Sequence, residues 1–132
     1  MKLTFIEDVN EYGEHAIRLS DFGMQQAILF RNLISKLAYM GYGELELTDF
    51  EFIEAVNCRL SLCVNDTDEG IITEDFVNFS CLLTVESYIE MMKLVEPFCI
   101  KESDAYQYLY DLDNPIDFIF SAGKAGSVSV DE

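Results

Sequence analysis

Tryptophan is absent from this chain, histidine occurs once, proline twice, and 8 basic side chains stand against 25 acidic ones in 132 residues. Each scarcity excludes something. With His15 as the sole histidine, two-histidine zinc sites are impossible, and any Ser-His-Asp or Cys-His arrangement would have to use that residue. On a strand in register with Ile17 and Leu19, His15 reads instead as a packed or edge histidine. The cationic residues Lys2, Arg18, Arg31, Lys36, Arg59, Lys93, Lys101 and Lys124 are scattered, so no basic stripe exists to neutralise phosphates. A formal net charge of −17 repels nucleic acid and anionic lipid headgroups alike. The longest strictly apolar runs, Ala27–Phe30 and Leu37–Met40, fall far short of the roughly 20 residues that span a bilayer. Glu7 and Asp8 arrive before any apolar stretch of signal-peptide length. The expected setting is cytoplasmic, with neither nucleic acid nor membrane as partner.

Cysteine chemistry is equally limited. Cys58, Cys63, Cys81 and Cys99 contain no C-x-x-C pair, and the spacing of Cys58 and Cys63 points them apart on either a helix or a strand. They read as buried free thiols that act as small hydrophobes. A low-pKa thiolate needs electropositive surroundings, which are scarce here. Asp66–Gly70 has the oxygens of a calcium loop, but an EF-hand starting at Asp66 would put Ile71 where glycine is required and Val77 where glutamate is. Ser121–Ser127 lacks the spacing of a phosphate-binding loop, having Phe118 and Ala125 at its two diagnostic places. No metal and no cofactor is expected.

What is present is a core. Half the residues are apolar, with 10 Phe and 7 Tyr, and the mean hydropathy is +0.12. A chain of this size buries roughly two-thirds of its unfolded surface, so residues 1–120 are expected to form a single domain, with 121–132 as a flexible tail.

Alternation predicts a hairpin from Lys2–Val9 and Glu14–Leu19 around Asn10–Gly13. Ser20 or Asp21 is expected to cap a long helix over Phe22–Met40, with Gly41 as its left-handed stop. Its core face holds Phe22, Ala27, Leu29, Phe30, Leu33, Ile34, Leu37, Ala38 and Met40, interrupted by Gln26. Glu44–Leu47 reads as a strand. Thr48 with Glu51 matches a capping box, favouring a short helix over Asp49–Val56, with a bulged strand as the alternative. Cys58–Val64 is predicted to pair as a hairpin with a return strand from Ile71 to about Leu83, interrupted near Glu74-Asp75. Thr84 caps a medium helix that Pro97 should end. Ala105–Leu112 suits helix or strand, and Ile116–Phe120 is a strand. The expected fold is α+β: a mostly antiparallel sheet built from hairpins, with one long and one medium helix packed on it.

Charge is unevenly distributed. From Glu44 to Glu90 there are twelve acidic residues and a single basic one, Arg59. Within this block, Asp66, Asp68, Glu69, Glu74 and Asp75 form a candidate surface for electrostatic docking of a basic protein. Met24, Ile28 and Tyr39 form a second, thinner apolar stripe on the long helix, which predicts the interface of a twofold homodimer. The expectation is a non-enzymatic binding module, of inhibitor or immunity type, for a basic partner. The competing class is an enzyme or small-molecule binder with a pocket between sheet and helix.

Overall fold

The structure, a computed structural model, describes residues 1–7, 14–110 and 116–123. The N-terminal β-formers build β1 (Lys2–Ile6) and β2 (His15–Ser20), paired antiparallel from Lys2↔Ser20 to Ile6↔Ala16. The predicted turn at Asn10–Gly13 lies outside the described residues, as does the tail from Lys124 onward. Helix α1 spans Met24–Tyr39, and Gly41 follows at φ 79, the left-handed stop its position suggested. The cap differs from expectation. Gly23 is the N-cap, and it has no side chain with which to cap. Instead Glu102, far along the chain, accepts the Met24 amide at 3.0 Å. The core face also needs correction, because Leu29 and Met40 are 45% and 64% exposed. Gln26, which interrupts that face, accepts a hydrogen bond from the Met1 nitrogen at 2.8 Å.

Strand β3 (Glu44–Glu46) runs into a single 3-10 turn, Leu47–Asp49, and then a short β4 (Glu54–Ala55). Neither the short helix nor a continuous bulged strand forms over Asp49–Val56. Glu46 takes the capping role, accepting from the Thr48 amide at 3.4 Å and its hydroxyl at 2.9 Å. Burial of Leu47 and Ile53 then bends the chain back to β1. There Asn57 acts as an extra strand residue, bonding both Phe5 N (2.8 Å) and Phe5 O (2.9 Å).

Strands β5 (Arg59–Val64), β6 (Gly70–Thr73) and β7 (Asn78–Leu83) complete the central region. The interruption at Glu74-Asp75 is real, but β5 and β6 do not pair. β7 inserts between them, parallel to β5 and antiparallel to β6. Helix α2 (Val85–Ile100) starts where Thr84 accepts the Ser87 amide at 3.2 Å. Pro97 does not end it: the helix continues through Phe98, which is buried against Phe120 with ring centroids 5.0 Å apart. Packing of that last turn outweighs the amide hydrogen bond that proline removes. Residues 106–110 are strand, β8 (Tyr106–Tyr110), and β9 (Ile116–Ser121) closes the fold.

The class is α+β, with two mixed sheets rather than one mostly antiparallel sheet. Their orders are β4-β1-β2-β9-β8 and β3-β5-β7-β6. The pairs β1·β4, β2·β9 and β5·β7 are parallel. A repeated order of elements underlies this. The chain reads hairpin, helix, hairpin, twice over, and each sheet takes one hairpin from each half. The second strand of each hairpin lies at the sheet centre, where it meets its counterpart in parallel. Buried positions correspond between the 16-residue helices: Ala27 with Tyr88, Phe30 with Met91, Ile34 with Val95, Leu37 with Phe98.

The helices pack antiparallel, since Met24 meets Glu102 while Arg31 meets Glu96 at 3.0 Å. Phe120 of β9 centres the aromatic core, with Phe22 at 4.2 Å and Phe30 at 5.3 Å. Tyr88, fully buried, places its hydroxyl 2.8 Å from the Cys81 carbonyl and 2.9 Å from that of Cys63, tying α2 to both central strands of the four-stranded sheet.

Candidate functional site

The acidic residues singled out above sit at the two ends of β6. Asp66, Asp68 and Glu69 lie in the connection from β5, and Glu74 and Asp75 in the turn to β7. The two groups do different work. Asp68 accepts from the Thr84 amide at 2.8 Å and the Ser87 hydroxyl at 2.7 Å, fastening the connection to the N-terminus of α2. Burial pulls its carboxyl upward, but these hydrogen bonds outweigh that and hold it below the usual range. Asp75 accepts from Asn78 N at 2.8 Å, Val77 N at 2.9 Å and Asn78 Nδ2 at 3.0 Å. Those donors, the Asn78 amide foremost, hold its carboxyl down at about 2. Both residues are thus ionised throughout the neutral range while structurally engaged.

Sequence reasoning missed the apolar part of this surface. Ile72, Phe76 and Val77 are each about half exposed (46%, 53% and 50%) beside these carboxylates. Phe76 has φ 58, a left-handed conformation that costs a side-chain-bearing residue roughly 1–2 kcal/mol. The turn holds it there: Thr73 Oγ1 accepts the Phe76 amide at 3.0 Å and donates to Asn78 O at 2.7 Å. One edge of the Phe76 ring meets Phe5 (5.9 Å) and His15 (6.2 Å). The available signal was an aromatic residue embedded among the turn formers Thr73, Asp75 and Asn78. A shallow groove of about 310 Å³ lies alongside, lined by Ile72, Thr73, Glu74, Asp75, Asn78 and Ser80. It is formed by the β6–β7 hairpin, not by a sheet and a helix.

Most of the counter-charge is used elsewhere. Arg31 pairs with Glu96 and Lys93 with Glu90, both at 3.0 Å. Lys2 reaches Asp21 at 3.7 Å, and Arg59 bridges Glu46 and Asp49 at 3.9 Å each. Lys36 lies over the rings of Tyr42 and Phe50. Among the described residues, none of these ion pairs involves Asp66, Asp68, Glu74 or Asp75. Met24 and Ile28 are half-buried on the flank of α1 that carries Arg31, while Tyr39 is exposed at its C-terminal end.

The thiols are far from nucleophilic. Burial pushes Cys58 up to about 11 and Cys81 up to about 12, and it also raises Cys63 and Cys99. All four are free, but only Cys58 and Cys81 are buried as expected, Cys63 and Cys99 being half-buried. Among the described residues, no three His, Cys, Asp or Glu side chains converge as a metal site would need. Among the described residues, no helix is long and apolar enough to cross a membrane. Comparison with protein-family models, curated proteins and solved structures gives no match to this chain.

Proposed function

We propose that this protein is a non-enzymatic binding module that masks a basic protein partner, docking it through the β6–β7 hairpin and the connection preceding it. The observation that carries this reading is the juxtaposition at β6: half-exposed Ile72, Phe76 and Val77 flanked by carboxylates on a chain of net charge −17. Apolar anchors inside a charged rim are the anatomy of protein interfaces. The rim steers an oppositely charged partner and the anchors slow its release. In the same reading, two copies of the chain associate through Met24, Ile28 and Tyr39.

The test separates charge from fold. Asp68 and Asp75 hold the backbone, so the informative variant changes Asp66, Glu69 and Glu74 together to serine. Proteins retained from a native lysate on the wild-type chain should be cationic, should be released by high salt, and should be lost on the folded triple variant. Retention of the same proteins by that variant, or of a metabolite in place of a protein, would refute the reading. Light scattering on wild type and Ile28→Glu tests the dimer, and a folded wild-type monomer rejects it.

A further inference from the structure

The four-stranded sheet has one face in the core and one open. Leu60, Leu62, Phe79, Cys81 and Leu83 alternate inward and are buried. Ser61, Cys63, Ser80 and Leu82 point the other way and are half-buried, with Asn78 and Ile72 exposed on the same side. Cys63, Ile72 and Leu82 accordingly stand outside the core cluster. The register aligns two rows across this open face. One runs Glu46, Ser61, Ser80, Ile72, and the next runs Glu44, Cys63, Leu82, Gly70. Carboxylates thus border one margin, on β3, and apolar groups the other, on β6 and β7. Between them the floor is small side chains, two hydroxyls and a thiol. Glu46 is fixed by the Ser61 hydroxyl, which donates to it at 3.0 Å. Arg59 lies at one end of the face, 3.9 Å from both Glu46 and Asp49, and among the described residues no ion pair engages Glu44. The field over the floor is negative: Glu44 and Glu46 add to burial in raising the Cys63 thiol.

We propose, on the docking reading above, that the basic partner presents an amphipathic α-helix, laid along β5 and β7 over this face with its cationic side toward Glu44 and Glu46 and its apolar side toward Ile72 and Leu82. The dimensions agree. From β3 to β6 is three strand spacings, roughly 14 Å, and a helix with its side chains is roughly 10–12 Å across. Strands β5 and β7, six residues each, extend about 20 Å, the length of about 13 helical residues. Ser61 and Ser80 lie side by side beneath the helix axis, small enough for close approach. A helix on a sheet face is an ordinary layer arrangement, and the two margins match the two sides of an amphipathic helix. A second copy of this chain is the wrong occupant, because its charge of −17 would meet the same sign.

The probe is a peptide of about 14 residues, leucines on one helical side and lysines on the other, set against a shuffled peptide of the same composition. Fluorescence anisotropy gives affinity for the full chain, and intermolecular NOEs from methyl-labelled protein give location. The amphipathic peptide should bind at least tenfold more tightly than the shuffled one, with NOEs to Ile72 and Leu82 and none to Ile28. Ser61→Tyr with Ser80→Tyr fills the floor with residues that suit a strand and should weaken binding at least tenfold. Should that pair unfold the chain, Ile72→Ser, at a half-exposed position, should weaken it at least threefold. Equal affinity for the two peptides, binding without those NOEs, or undiminished binding to the folded variants overturns the helix. Binding lost only in the Asp66, Glu69 and Glu74 triple serine variant overturns the helix and leaves the hairpin reading standing. Binding indifferent to that variant and to salt takes the hairpin reading with it.

Discussion

The Asp68 carboxylate accepts the backbone amide of Thr84 at 2.8 Å, so an acidic residue of the candidate docking surface also holds the N-cap residue of α2 in place. Its removal should therefore show in stability, whatever it does to binding. Asp68→Ala should cost about 1–2 kcal/mol, within the range for lost N-terminal caps, and lower Tm by roughly 3–6 °C. Thermal melts check this. An unchanged Tm would mean that the Thr84 hydroxyl alone secures the helix start.

Asp75 sets a pH dependence of definite sign. Its folded carboxyl is held down at about 2, below the value of about 3.9 for an unperturbed aspartate. Its stabilisation is thus fully present above about pH 4 and is lost as pH falls toward 2. Asp75→Ala should be less stable than wild type at neutral pH, and the gap should narrow between pH 4 and pH 2. Denaturant melts across that range would show the narrowing. A gap constant down to pH 2 would contradict the hydrogen-bonded turn.

The corrected core face gives a paired test on stability. Phe120 touches Phe22, Phe30 and Phe98. Phe120→Ala should cost about 3–5 kcal/mol, whereas Leu29→Ala, at a half-exposed position, should stay near 0.5 kcal/mol or below. Equal costs would restore Leu29 to the core.

Alkylation should distinguish the four thiols in the native protein. Cys63 and Cys99, half-buried and raised in pKa, should react slowly at neutral pH and faster as pH rises. Cys58 and Cys81 should react only on unfolding. Intact mass before and after denaturant counts them: two modifications, then four.

Elements were legible in the sequence where local chemistry decides them. Alternation located β1, β2 and β9, Thr84 announced α2, and Gly41 stopped α1. Partners distant along the chain were not legible. The cap of α1 comes from Glu102, 78 residues from Met24, and the survival of α2 past Pro97 depends on Phe98 meeting Phe120. Strand order was hidden for the same reason. Nothing within β5 or β6 records that β7 will slip between them, because the decision lies in the tight Thr73–Asn78 turn and the two-sheet topology. At the candidate site the carboxylates were visible as charge. Their split into carboxylates that hold the backbone, Asp68 and Asp75, and carboxylates of the rim was not, nor was the half-exposed Phe76.

The exchange of hairpins between the halves carries a consequence for how the protein is made. The five-stranded sheet joins β2 to β9, with His15 opposite Ile116, so its first hairpin waits for its last through most of translation on the ribosome. Neither half can finish a sheet from its own strands. Such long sequence separation slows folding and leaves the apolar side of β1 and β2 uncovered in the nascent chain. A ribosome-bound chain stalled before Ile116 should therefore remain sensitive to protease at its N-terminal hairpin, and lose that sensitivity only once the final strand has emerged.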